Sequence, residues 1–101
     1  MIAAFSITPI GAAESVSTAV ADAVRIVRES GLPNETNAMF TNVEGEWDEV
    51  MAVVKRAVDV VAASSPRVGL VLKADIRPGH TGQLRAKVRR IDERLAGEAT
   101  E

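Results

Sequence analysis

The apolar residues of this chain switch repeatedly between a two-residue and a 3.6-residue period, and that succession leaves few folds open. Along residues 2–10, Ile2, Ala4, Ser6 and Thr8 share one face while Ala3, Phe5, Ile7 and Pro9 share the other, the signature of a strand that Pro9 and Gly11 bring to an end. Val16, Ala19, Val20, Ala23, Val24 and Val27 then recur at helical spacing. Ser15 is placed to cap that helix, Gly31 to close it, and Pro33 follows. Residues 34–43 are polar and extended in character. They form either one strand with Glu35, Asn37, Met39 and Thr41 on one face, or two short strands broken near residues 38–40 or turned at Asn42.

Glu44, Glu46, Asp48 and Glu49 crowd the start of a second helix, where negative charge suits the positive end of the dipole. Val50, Val53, Val54, Ala57, Val58 and Val61 give that helix a wide apolar face, and Ser64, Ser65 and Pro66 stop it. Residues 68–74 are an apolar run that predicts a central strand buried on both faces, with Lys73 and Asp75 on one face at its outgoing end. After a loop over residues 78–82, Leu84, Val88, Ile91 and Leu95 predict a third helix with a narrow seam. Arg85, Lys87, Arg89, Arg90 and Arg94 surround that seam, and Gly97 is read as its end.

With two strands in the middle segment, this order is an α+β fold: a ferredoxin-like βαββαβ sandwich with an additional C-terminal helix. Residues 1–96 make one domain, and residues 97–101 read as a disordered tail. The core must be built from small side chains, because the 101 residues include 16 Ala and 14 Val but one Trp, two Phe and no Tyr. At about 25 cal/mol per Å² such residues contribute little each, so covering surface with a second subunit is the expected remedy. The sheet face without helices is where that subunit belongs.

Several function classes lose their support here. No cysteine is present, which removes disulfides, thiol nucleophiles and cysteine metal sites. The lone histidine, His80, sits in a glycine-rich loop and offers neither a triad nor ligand spacing. Neither catalysis nor a catalytic cofactor is expected. The first residues lack a basic leader and no run reaches membrane-spanning length, so the expected setting is the cytoplasm without membrane contact.

Charge is unevenly spread. Residues 1–66 hold four basic and nine acidic groups, a net of −5, whereas residues 67–101 hold eight and five, a net of +3. A basic last helix of this kind could dock RNA or an acidic protein partner, the alternative reading. Sheet-type RNA binding needs exposed aromatics, and only Phe5 and Phe40 are available, which makes nucleic acid a poor partner. The loop over residues 77–82 has the glycines and following helix of a phosphate cradle but matches no phosphate-loop pattern.

Polar residues in otherwise apolar strands are the remaining oddity. Ser6, Thr8, Asn37, Thr41, Lys73 and Asp75 come together if the first and last strands are both central. Burying them costs free energy unless something satisfies them, either a structural network or a small polar ligand.

The stretches GLPNETNAMFTNVEGEWDEVM and VLKADIRPGHTGQLRAKVRRID, with Met39-x-Thr41-x-x-Glu44-Gly45 and Lys73-x-Asp75-x-Arg77 inside them, resemble the small thiamine-binding protein family. The resemblance runs from the SITPIG strand to Arg94. It implies a homo-oligomer, a tetramer of two dimers or a dimer, holding thiamine or its hydroxymethylpyrimidine half as ligand. Carried over, Ser6, Thr8, Asn37, Met39, Thr41, Lys73 and Asp75 are the expected ligand-binding residues. The chain departs from the family at Asn34, often aromatic there, and at Phe40, often Gly. An aminopyrimidine suits this set: Asn37, Ser6, Thr8 and Thr41 match its donor and acceptors, Met39 packs on the ring, and Asp75 takes the amine or offsets a thiazolium. Lys73 alone fits a pyrophosphate poorly, which favours unphosphorylated thiamine. Trp47 is expected as a core or interface anchor, or else a lid.

Overall fold

The computed structural model describes residues 1–11 and 16–99, so the expected cap Ser15 lies outside the described residues. The elements are β1 (Ile2–Ile10), α1 (Val16–Glu29), β2 (Asn34–Thr36), β3 (Thr41–Glu44), α2 (Trp47–Ala62), β4 (Arg67–Asp75) and α3 (Gln83–Ala99). The strands form an antiparallel sheet in the order β2-β3-β1-β4, the ferredoxin-like arrangement with a C-terminal helix added. The open choice over residues 34–43 falls to two strands. Asn37 makes the break: its Oδ1 accepts from the amides of Met39 and Phe40, both at 2.9 Å, and its own amide donates to the Phe40 carbonyl at 3.0 Å. A side chain that mimics a backbone turn in this way leaves no trace in apolar periodicity.

Helices α1 and α2 pack on one face of the sheet. The core they close contains Ala3 and Phe5 of β1, Val43 of β3, Ala23 and Val27 of α1, and Val50, Val53, Val54, Ala57 and Val61 of α2, all of them buried. The odd-numbered residues of β1 face this core, in agreement with their alternation. On α1 the core-facing residues are Ala19, Ala23, Ile26 and Val27, whereas Val20 lies 37% exposed on the helix shoulder. The N-terminus is tied in as well, since the Met1 ammonium donates to the Gly45 carbonyl at 2.7 Å and the Gly45 amide returns to the Met1 carbonyl at 3.1 Å.

Three expectations need correction. Strand β4 is an edge strand, paired with β1 alone among the described residues, and not a central one. Its two-sided apolar character leaves Leu70 44% and Val71 59% exposed. Trp47, the first residue of α2, is 54% exposed, which removes the core from its expected roles and leaves the interface anchor and the lid. Helix α3 does not stop at Gly97 but runs through it to Ala99.

The placement of α3 follows from one carboxylate. Glu44 ends β3 on the sheet face opposite α1 and α2, in register with Ile2, and is only 6% exposed. Its side chain accepts from the amides of Gln83 at 2.8 Å and Leu84 at 3.1 Å, two of the donors that a helix start leaves without an internal partner. From there α3 leaves the sheet, and the apolar side chains Val88, Ile91 and Leu95 of its seam stay exposed. The radius of gyration of 15.9 Å, against about 13 Å for a compact chain of this length, records that projecting helix.

Candidate functional site

Strand β1 is longer than its neighbour β3. Residues 2–5 pair with β3 on one side and β4 on the other, whereas residues 6–10 pair with β4 only. Pro9, which has no amide proton for a ladder, falls within this overhang. Every other residue of such an edge turns its backbone N–H and C=O toward the missing neighbour. The turn over residues 37–40 faces the same gap, and the shoulder of α1 closes its far side.

Between them lies a cleft of about 400 Å³. Ser6, Thr8, Asn37, Met39 and Thr41, all expected site residues, line it. Val20, Val24, Val27 and Phe40 give it an apolar wall. Volume and lining together fit a small-molecule site, with a few polar groups in an otherwise apolar concavity. Thr41 is 8% exposed and held at the floor, while Met39 is 74% exposed at the mouth. Because the Asn37 Oδ1 is committed to the turn, its Nδ2 is the atom left to donate to a guest. Among the described residues, no Asp, Glu, Lys or Arg lines the cleft.

Lys73 and Asp75 do not join this group. They stand in register with Ala4 and Ile2, at the other end of β1 from Thr8. At about 3.3 Å per residue, Asp75 stands about 13 Å along the strand from Ser6 and Lys73 about 7 Å, and neither lines the cleft. The expectation that first and last strands gather all the polar residues fails because β1 and β4 are antiparallel, which sends the outgoing end of β4 back to the start of β1. Asp75 there pairs with Lys87 of α3 at 2.7 Å. The hydrogen bond and charge of Lys87 hold its carboxyl below the usual range, aided by the charges of Arg77 and Lys73. Sequence reasoning missed Val20 and Val24 as site residues: they were assigned to the core face of α1, though an apolar arc wider than the sheet needs was a signal to be read.

Among the described residues, no group of three or more His, Cys, Asp or Glu side chains is placed to hold a metal ion. No helix among them is long and apolar enough to cross a membrane.

The family model described as thiamine-binding protein matches residues 3–92, nearly the whole described domain. The chain belongs to the thiamine-binding protein family. UPF0045 protein Mb1933 of Mycobacterium bovis is 53% identical over 96 residues, covering 94% of each chain. The hypothetical protein MJ1052 of Methanocaldococcus jannaschii, whose crystal structure is known, is 36% identical and superimposes with a TM-score of 0.81 over 91% of this chain and 95% of its own. A Thermotoga maritima protein, named for a proposed place in thiamine biosynthesis or salvage, shares the fold at 21% identity, with a TM-score of 0.73 over 87% of this chain and 96% of its own.

Proposed function

We propose that the chain is a non-catalytic binding protein for an aminopyrimidine, either thiamine or its hydroxymethylpyrimidine half, held in the cleft beside the β1 overhang. The observation that carries this reading is the convergence of Ser6, Thr8, Asn37, Met39 and Thr41, drawn from three separate segments, on one apolar-walled concavity. The ring stacks against Val20, Val24 and Phe40, and Met39 closes over it from the mouth. Ring nitrogens and the exocyclic amine meet the Thr41 hydroxyl, the Asn37 Nδ2 and the unpaired backbone edge of β1 beside Ser6 and Thr8. Because the described residues that line the cleft are all uncharged, the neutral pyrimidine is the part recognised, and a thiazolium or phosphate extends outward. Lys73 and Asp75 are left out of this site.

Self-association belongs to the same reading. Val88, Ile91 and Leu95 on the projecting α3 and Val71 on the bare sheet face are more apolar surface than one small domain usually leaves wet. Light scattering at micromolar protein is expected to give a dimer or tetramer, and a strict monomer contradicts it.

Titration calorimetry with thiamine and with hydroxymethylpyrimidine tests the site. Saturable heat is expected from at least one, and Val24→Phe, which fills the cleft from a half-buried position outside the main core, is expected to weaken it at least about tenfold while the circular dichroism spectrum is kept. No heat from either ligand at millimolar concentration, or unchanged binding by Val24→Phe, overturns the reading.

A further inference from the structure

A second hollow, of about 230 Å³, lies at the opposite end of β1, between the loop over residues 77–82 and the first turns of α3. Its character is unlike that of the cleft. The Met1 ammonium, Arg77, Lys87 and Arg90 contribute four positive groups and Glu44 and Asp75 two negative ones, a net of +2 with His80 neutral. Both carboxylates are already engaged within the protein. Glu44 accepts from the amides of Gln83 and Leu84, and Asp75 is paired with Lys87. With Lys87 paired to Asp75 and the Met1 ammonium bound to the Gly45 carbonyl, the cationic side chains without a carboxylate partner in the hollow are Arg77 and Arg90. Arg90 donates its Nε to the Ala86 carbonyl at 3.2 Å and its Nη2 to the Gln83 Oε1 at 2.7 Å, which fixes the plane of the guanidinium and leaves its other N–H groups for a guest.

The loop is shaped to bring its cationic groups back toward the helix. Gly79 and Gly82 hold φ values of +78° and +66°, and the His80 amide donates to the Arg77 carbonyl at 3.2 Å, closing a turn. The His80 Nδ1 lies 3.2 Å from the Pro78 carbonyl, which orients the ring. A neighbouring hollow shares Arg77, His80 and Arg90 and adds Arg89 and Glu93. The amides at the start of α3 play no part in this site, because Glu44 occupies them; side chains alone would hold the guest.

We infer that this hollow binds a compact phosphate, free or as the monoester of a small molecule, gripped by Arg77 and Arg90. A doubly charged oxyanion matches the net charge, and planar guanidinium groups bind such oxygens bidentately. The site is independent of the aminopyrimidine cleft, since the two lie at opposite ends of β1.

The experiment is titration of the ¹⁵N-labelled full chain with inorganic phosphate and, separately, with glycerol phosphate, at constant ionic strength set by chloride. Saturable amide shifts confined to residues 77–82 and the first half of α3 are expected. Tighter binding of glycerol phosphate would identify an ester as the occupant, and equal binding would identify the phosphate group alone. Arg77→Gln and Arg90→Gln are each expected to weaken binding at least about tenfold. Arg28→Gln, on α1, is expected to leave it unchanged. Shifts that grow linearly without saturating, that chloride reproduces, or that survive both substitutions in folded protein overturn the inference. So does tight binding of a polyanion such as heparin with none of phosphate.

Discussion

Removing the Glu44 carboxylate should release α3 while leaving the rest of the domain folded. The magnitude follows from two contacts: at 6% exposure, the side chain accepts from the Gln83 and Leu84 amides at 2.8 and 3.1 Å. Bonds to a charged group contribute about 1.5–3 kcal/mol each in favourable cases, and loss of a helix N-cap costs about 0.5–2 kcal/mol, so Glu44→Ala should favour opening of α3 by about 2–4 kcal/mol. The other attachments of α3 are weak, namely an exposed Lys87–Asp75 pair and the half-buried Leu84. No residue of α3 is part of the buried core. Native-state hydrogen exchange should therefore show the amides of residues 86–90 exchanging roughly 30- to 1,000-fold faster in Glu44→Ala, since each 1.36 kcal/mol is a factor of ten. The amides of Val43, Val54 and Val61 should keep their protection. Glu44→Gln, which retains one acceptor oxygen, should fall between. Unchanged exchange in α3, or an equal loss of protection in the core and the helix, would refute the idea that one buried carboxylate moors an otherwise loosely attached helix.

Two further outcomes follow from local features. Gly31 sits just past α1 at φ +79°, with open space where a Cβ would stand, so Gly31→Ala should cost about 1–2 kcal/mol by denaturant unfolding through backbone strain alone; a neutral result would contradict the left-handed cap. The Asp75 carboxyl titrates below the usual range because of Lys87, so the stabilisation from that pair is present above the usual carboxylate range and is lost as pH falls through the depressed value. Exchange rates in α3 of the wild type and Asp75→Asn should differ at neutral pH and converge in acid; a difference that persists in acid contradicts the assignment.

Much of this architecture is legible in the sequence, and what escapes does so for physical reasons. The bounds of β1 follow from its alternation, and the apolar face of α2 from the valines at helical spacing. Strand β4 misleads because an apolar run reports that surfaces are to be covered and not what covers them: Leu70 and Val71 look like central-strand residues yet lie on an edge. The break at Asn37 depends on a side chain replacing a backbone acceptor. Glu44 reads as one of several acids at the start of α2, while its partners are 39 and 40 residues further on. Most consequential for the site is register. The residue types that point to a polar pocket are visible in the chain, but the antiparallel pairing of Ile2 with Asp75 keeps Asp75 out of the apolar-walled cleft and sets it in the cationic hollow at the other end of β1.

The central claim is that the cleft beside the β1 overhang recognises an aminopyrimidine. Titrating hydroxymethylpyrimidine into ¹⁵N-labelled protein and mapping the amide shifts tests it most directly. Saturable shifts are expected at Ser6, Thr8, residues 37–41 and the Ala23–Val24 shoulder of α1, with Asp75 and Lys87 unmoved. Shifts centred on Asp75, Arg77 and Lys87, or none at millimolar ligand, would contradict it.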